Sequence, residues 1–455
     1  MSIPASLIHD LQSVKGFDEK AFLAAHQLPA VTSVRLHPVK QMQSLVRNAI
    51  VPWCAEGRVL PERPVFTLDP AYHAGAYYVQ EASSMFLDYL FRAVYPERDK
   101  LRVLDLCAAP GGKSTLLASA LTGESLLVSN EVIRTRASIL EENMTRWGFM
   151  NTWVTSNDPR DFGKLEGYFD AIVVDAPCSG SGLFRKDARA LEEWSENNVA
   201  LCSQRQQRIL ADVWPALKEE GVLFYATCSY SPEEDEQILD WLAETYEVET
   251  LDIDVPENWN VVKTYSAQGK MAGYRFMPHL VKGEGFFIAA IRKKDETDEI
   301  RAPKFKTLHN KTVHAQTTSL LKPGVDYLCL PGKEEFFAIN SVHEADFHIL
   351  SKAVYLRKTG ITLGSPTAKE WLPAHELAMS IDIHPDIAKI ELEKEQALRF
   401  LKKEDFGVDA APKGWLLVTY KGWGLGWVKS LGNRFNNYLP KHWRIRMDIS
   451  DADWA

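Results

Sequence analysis

Two of the six cysteines stand where a thiol could do chemistry. VLFYATCSYSPEEDE, from Val222 to Glu236, runs a short apolar strand into Cys228. Ser231-Pro232-Glu233-Glu234 behind it has the features of a helix start, with a capping serine, a proline suited to the first turn and acids suited to the helix dipole. DAPCSGSGLFRKD likewise follows the apolar run before Asp175, and puts Asp175, Cys178 and the flexible Ser179–Gly182 turn at a strand end. Open α/β sheets keep their ligands at the carboxyl ends of strands, and neighbouring strand ends lie about 5 Å apart. Two thiols and one carboxylate can therefore face one bound molecule. The bland reading of a buried cysteine is a small inert hydrophobe, which suits Cys202 and Cys329. A disulfide between Cys178 and Cys228 would disable such a site.

A third stretch indicates what lies beside the thiols. LRVLDLCAAPGGKSTLLASAL reads as strand, glycine turn and helix. Gly111 and Gly112 let backbone approach a ligand, and the helix start behind them offers free N–H groups. One candidate is a phosphate loop, G-x-x-x-x-G-K-[ST], whose end Gly112-Lys113-Ser114 supplies. Its first glycine falls on Cys107, and that glycine shapes the phosphate nest. Acidic residues close three strands, Asp105, Glu131 and Asp175, and such carboxylates repel phosphates but suit a ribose diol or a sulfonium cation. A carboxylate after the second strand is the ribose position of Rossmann-like sites. Together these favour S-adenosylmethionine over ATP. Beside a methyl donor, two thiols suit methylation of a pyrimidine. A thiolate adding to carbon 6 makes carbon 5 enamine-like, and loss of the carbon-5 proton after transfer expels the thiolate.

The elements that must position these groups follow from the alternation of patterns. Strands are expected at Leu101–Leu106, Leu126–Ser129, Trp153–Thr155, Phe169–Asp175, Val222–Thr227 and Gly285–Ile291. Helices are expected at Lys113–Leu121, Arg134–Trp147, Glu192–Ala216 and Pro232–Thr245. Alternation of this kind implies βαβ units and a parallel sheet. A chain of 455 residues should divide into roughly two to four domains. The expected parts are an α+β domain at 1–76, the Rossmann-like α/β core at 77–294, a charged linker KKDETDEIRAPK, a mixed α+β domain at 305–395 and a β-rich module at 396–455.

The amino terminus has no basic stretch leading into an apolar block, so no signal peptide is expected, and no apolar run approaches a membrane span. Sparse cysteines argue against a disulfide scaffold, and no Cys/His spacing suggests a metal site. A reducing cytoplasm is the expected compartment. Net charge is −9, which argues against nucleic acid, yet Lys413–Arg446 contributes +7 with no acid, leaving −16 elsewhere. Aromatic residues run through that stretch, so Lys421, Lys429, Arg434, Trp423 and Trp427 are candidate RNA contacts. The alternative is a small β domain whose aromatics are core and whose lysines are merely solvated.

DLCAAPGGKS, DAPCSGSG, ATCSYSPEEDE and YRFMPHLVKGEGFFIAAIRK resemble, in order and spacing, the motifs of RNA cytosine-C5 methyltransferases of the NOL1/NOP2/Sun family, over Tyr77 to Lys293. YYVQEASSM is similar to that family's entry motif, and the carboxyl-terminal arrangement resembles its bacterial 16S rRNA branch, whose tail is a PUA-like RNA-binding module. The resemblance implies action on 16S rRNA or the small subunit; a monomer is expected. It implies that Cys107, Ala108, Ala109, Pro110, Gly111, Gly112 and Lys113 cradle the methionine end of the cofactor. It also implies that Glu131 holds the ribose, Asp158 or its neighbour Asp161 the adenine, and Asp175 the region between cofactor and base. Cys228 matches the nucleophile and Cys178 the cysteine of product release. DNA cytosine methyltransferases use the Pro-Cys cysteine instead, so the residues alone leave the two roles open. Two rival readings are an NTPase, which would bind ATP and Mg²⁺, and a catalytically silent rRNA-binding assembly factor.

Overall fold

Four sheets organise the chain in a computed structural model that describes residues 3–298, 300, 304–408 and 411–450. Strands β1 (Ser33–Leu36), β2 (Ala49–Val51), β3 (Cys54–Val59) and β4 (Tyr77–Val79) form the first, in the order β2-β3-β1-β4. The second has ten strands: β5 (Arg102–Asp105), β6 (Leu126–Asn130), β7 (Thr152–Thr155), β8 (Phe169–Asp175), β9 (Leu217–Thr227), β10 (Val248–Thr250), β11 (Val262–Tyr265), β12 (Ala272–Phe276), β13 (Phe286–Lys293) and β16 (Leu356–Lys358). The third joins β14 (Tyr327–Pro331), β15 (Phe336–Asn340), β17 (Ile361–Pro366) and β18 (Trp371–Pro373), and the fourth β19 (Lys389–Glu391), β20 (Gly414–Tyr420), β21 (Trp423–Ser430) and β22 (Phe435–Asn437).

The large sheet runs β11-β12-β13-β9-β8-β5-β6-β7-β16, with β10 beside β13. Strands β9, β8, β5, β6 and β7 are parallel, while β13 and β16 run antiparallel at either side of them. Strand order reverses about β5, between β8 and β6, which makes their carboxyl ends the switch point where such sheets bind ligands. The apolar runs that mark these strands are buried on both faces, in two cores.

Expected and observed elements differ where local chemistry intervenes. The helix expected over Glu192–Ala216 is two, Ala188–Glu193 and Glu196–Val213, because Ser195 caps the second by accepting from the Asn198 N–H at 3.1 Å. Pro215 turns its end into a short 3₁₀ segment. The helix expected from Pro232 begins only at Glu236, after a 3₁₀ turn over Pro232–Glu234 and an irregular backbone at Asp235.

Several contacts cross between parts of the chain. Strand β16 joins the edge of the catalytic sheet at β7. The first sheet and the fourth share a single apolar core, in which Val34, Leu36 and Tyr77 pack with Leu398, Val418 and Trp443. Of the linker expected over KKDETDEIRAPK, residues 299 and 301–303 lie outside the described residues, as do 409–410 and 451–455 of the terminal module. Lys293, expected at the start of that linker, instead ends β13, buried, its Nζ donating to the Trp214 and Leu217 carbonyls at 3.1 and 2.9 Å.

Candidate active site

From Asp105 at the end of β5 the chain turns through Cys107–Gly111 into the helix Gly112–Ala120. Gly111 has a φ of 120°, a backbone that favours glycine. The turn is held from the helix Arg134–Trp147, where Arg136 donates to the Ala109 carbonyl and Asn143 to the Pro110 carbonyl, both at 2.7 Å. The Ala108 N–H donates to the Asn130 carbonyl at 2.8 Å, tying the turn to the end of β6. A buried arginine of the first sheet supports the helix behind: Arg35 donates to Thr115 at 2.6 Å, Ser119 at 3.1 Å and Gln80 at 2.8 Å.

A cavity of about 490 Å³ opens at this edge. Cys107, Ala109, Glu131, Asp158, Asp175, Cys178 and Cys228 line it, so the ends of four strands, β6 to β9, and the glycine turn after β5 converge at one edge. Ala108 and Lys113 are buried behind its wall. Glu131 is only 3% exposed, and its Oε1 accepts from the Ile133 N–H at 2.9 Å while Arg136 lies 3.4 Å from Oε2. Asp158 caps the short helix Pro159–Phe162, accepting from the Arg160 N–H at 3.2 Å. Asp161 pairs instead with Lys164 at 2.7 Å and is not among the cavity's lining residues.

Lys113 Nζ lies 2.9 Å from Asp175 Oδ2. Burial pulls this ammonium down, but the Asp175 carboxylate, together with Asp105 and Cys228, leaves Lys113 raised. Asp105 is pushed up to about 7, chiefly by burial, against the hydrogen bond from Ser114 at 2.6 Å. Its Oδ1 is buried without a hydrogen-bond partner. The sulfur atoms of Cys178 and Cys228 are 3.0 Å apart, and all six cysteines are free. The hydrogen bond to Cys228 and then burial hold the Cys178 thiol well above its ordinary range.

The two thiol loops are stitched together. Gly182 N–H donates to the Cys228 carbonyl at 2.9 Å, and Gly285 N–H to the Gly182 carbonyl at 3.0 Å. Arg185, on the loop after Cys178, makes a buried ion pair with Glu284 at 2.9 Å. Glu81, from YYVQEASSM, accepts from the N–H groups of Ser83, Ser84 and Glu284 at 2.8, 2.9 and 2.8 Å. The motifs legible in sequence thus meet in space. Sequence reading missed Glu234, Arg205 and Arg208. The last two line the cavity from the helix Glu196–Val213, and only their i, i+3 spacing on one helix face could have marked them.

The basic tail is placed less uniformly than its composition suggests. Lys421 and Arg434 are exposed and Trp423 is half-buried. Lys429 pairs with Glu370. Trp427 corrects the expectation: it is 3% exposed, packs in a core with Leu377 and Ala378, and donates its indole N–H to the Ala374 carbonyl at 2.8 Å. Its ring is not available for stacking on a base.

A parallel sheet with a cavity at its switch point, a glycine turn, an acidic second strand end and no phosphate nest defines an S-adenosylmethionine-dependent methyltransferase. The residues fit that cofactor, since the Glu131, Asp158 and Asp175 carboxylates line the cavity and suit a ribose diol or a sulfonium cation. The chain belongs to the ribosomal RNA small subunit methyltransferase F family and is an RNA methyltransferase. Residues 93–292 match 16S rRNA methyltransferase RsmB/F, residues 3–82 the N-terminal domain of 16S rRNA methyltransferase RsmF, and residues 387–445 the methyltransferase RsmF PUA domain. Ribosomal RNA small subunit methyltransferase F of Psychromonas ingrahamii is 33% identical over 92% of each chain. That of Aliivibrio fischeri is 31% identical over 96% of each. Among solved structures, a methyltransferase homolog protein from Pyrococcus horikoshii is 27% identical with a TM-score of 0.52, covering 64% of this chain and all of that one. NSun6 from Pyrococcus horikoshii, solved with SFG, is 19% identical with a TM-score of 0.53 over 64% of this chain and 99% of that one, a likeness of fold.

Proposed function

We propose that the protein methylates carbon 5 of a cytidine in 16S rRNA through a covalent bond from Cys228 to carbon 6. The observation that carries this reading is the pair of thiols 3.0 Å apart in the wall of the cofactor cavity. The cofactor, when bound, supplies an electrophilic methyl group on a sulfonium. Cys107–Lys113 would hold its methionine end, Glu131 the ribose and Asp158 the adenine side. Asp175, fixed by Lys113, lies between cofactor and base. The Cys228 thiolate adds to carbon 6, and the displaced electron pair makes carbon 5 nucleophilic. After carbon 5 gains the methyl group, its proton passes to solvent, the electron pair left behind re-forms the carbon 5–carbon 6 double bond, and the bond from carbon 6 to sulfur breaks to return the Cys228 thiolate. Cys178, 3.0 Å from that sulfur, is placed to assist the release step.

The target base must leave its stack to reach Cys228. The parts at 1–76, 305–395 and 396–455 would present RNA to the core at 77–294, with Lys421, Lys429 and Arg434 contacting phosphates and Trp423 stacking. The reading takes the protein to act in the cytoplasm, as a monomer, on the small ribosomal subunit or its RNA.

Cys228→Ala should abolish methylation and any covalent RNA adduct. Cys178→Ala should also fail to turn over, yet accumulate an adduct, because addition and transfer proceed while elimination does not. A denaturing gel with labelled RNA reads both, alongside cofactor affinity as a control for folding. Adduct in Cys228→Ala and none in Cys178→Ala would reverse the roles. A second test concerns the tail: replacing Lys421 and Arg434 with alanine should flatten the slope of RNA affinity against salt by about one unit per lost phosphate contact. An unchanged slope would make the tail structural.

A further inference from the structure

We infer that Glu234 is a positioning residue that locks the two thiol-bearing loops into one unit, so that both sulfurs face the same base. Its carboxylate is fully buried and is shared between the loops. Oε1 accepts from the Ser179 N–H at 2.8 Å and from Gln206 at 3.3 Å. Oε2 accepts from the Ser179 hydroxyl at 2.5 Å and the Ser229 hydroxyl at 2.6 Å. Ser179 directly follows Cys178, and Ser229 directly follows Cys228. One carboxylate therefore grips the residue next to each thiol. Gln206 extends the grip, since its amide also donates to the Pro177 carbonyl at 3.1 Å, on the other side of Cys178.

A carboxylate is the group this position calls for. It meets four donors with two oxygens, and charge-assisted bonds of this kind are about twice as strong as neutral ones. Burial raises Glu234, while the serine hydrogen bonds work against that shift and favour the charged form. The neighbouring acids are spoken for by different partners. Asp235 accepts from the Thr227 hydroxyl at 2.6 Å, and Glu236 accepts from Arg275 Nε at 2.7 Å. Glu234 alone of the three reaches both loops. Its own position is fixed through the backbone, where Tyr225 donates its hydroxyl to the Glu234 carbonyl at 2.6 Å.

The inference rests on the covalent reading for its catalytic meaning, so its test reads thiol geometry without RNA. Diamide oxidises a close pair of thiols to a disulfide and is itself reduced to the hydrazine. In the full-length protein the Cys178–Cys228 disulfide should form rapidly, scored by mass spectrometry after the remaining thiols are alkylated. Glu234→Ala should slow that rate at least tenfold, while calorimetric affinity for S-adenosylmethionine stays within threefold. Glu234→Gln should stay near wild type, because its oxygen still faces the two N–H donors and the serine hydroxyls can turn to accept. If Glu234→Ala proves unfolded, Ser179→Ala with Ser229→Ala deletes both hydroxyl bonds while the Ser179 N–H and Gln206 still hold Glu234, which frees the Cys228 loop from the carboxylate and should slow the disulfide likewise. In steady-state assays, Glu234→Ala should lower kcat about thirtyfold with KM for RNA within threefold. A disulfide rate equal to wild type in a folded Glu234→Ala or Ser179/Ser229 variant overturns the inference. If the disulfide rate follows Glu234 but no cysteine variant yields an RNA adduct, the covalent chemistry fails while the positioning role stands.

Discussion

Asp105 shows what a single residue at this site stores. Its carboxyl ends β5, buried completely, with one oxygen bonded to Ser114 and the other without a partner. Burial places it at about 7, above the ordinary 3.8. The folded chain therefore binds this proton more tightly than the unfolded chain, and the stability it contributes fades as pH rises from about 4 to about 7. A cation held nearby favours the ionised form. Binding of S-adenosylmethionine should thus release a proton near pH 6, and affinity should climb as pH rises through 7. Calorimetry in buffers of different ionisation enthalpy measures the release, and Asp105→Asn should remove both effects. No proton release in the wild type would sink the idea. Other residues of the site could be read in advance because strand ends carry them. Asp175 and the two thiols at one edge were legible from spacing alone. Glu234 was not, because the run Glu233-Glu234-Asp235-Glu236 looks like charge for a helix dipole until Glu234, Asp235 and Glu236 are each seen with a different partner.

At the scale of elements, strand positions in the core were legible because fully buried parallel strands leave continuous apolar runs. Side assignments in the tail were not. Trp423 and Trp427 are four residues apart on one strand, and sequence treats them alike. The helix His375–Met379 packs on β21 and covers Trp427, and no pattern within β21 announces that neighbour. Close approach of loops is equally hidden. A Cβ on Gly182 would sit 2.4 Å from the Gly285 carbonyl oxygen and 2.9 Å from that of Cys228. Both atoms are backbone, so they yield only if the thiol loops part. Gly182→Ala should therefore destabilise the protein by about 1–3 kcal/mol, the usual range for overpacking. It should reduce methylation by more than tenfold while cofactor affinity stays near wild type. Stopped turnover with lost cofactor binding would mean the damage spreads beyond the thiol loops.

At the scale of the whole molecule, one buried lysine that sequence reading passed over bridges three parts of the chain. Lys40 is 2% exposed, and its ammonium donates to the carbonyls of Ala74 at 3.0 Å, Arg146 at 2.7 Å and Met379 at 2.7 Å. These carbonyls come from the first domain, the catalytic core and the region after β18. Each belongs to a helix end: Ala74 closes Pro70–His73, Arg146 lies in the last turn of Arg134–Trp147, and Met379 ends His375–Met379. Helix carboxyl termini carry partial negative charge and unpaired carbonyls, so one cation satisfies three of them. Burial pulls Lys40 down to about 7, a cost that a hydrophobic replacement would avoid. Methionine at this position would nevertheless leave three buried carbonyls without donors, at about 1–3 kcal/mol each. The carbonyl term is larger than the relief from desolvation if Lys40 is the keystone of these contacts. Lys40→Met should then lower stability by about 3 kcal/mol or more in denaturant unfolding. It should also expose the 305–395 segment to limited proteolysis before the catalytic core unfolds. Unfolding at the wild-type midpoint, with the same cleavage pattern, would show that apolar packing alone holds the three parts together.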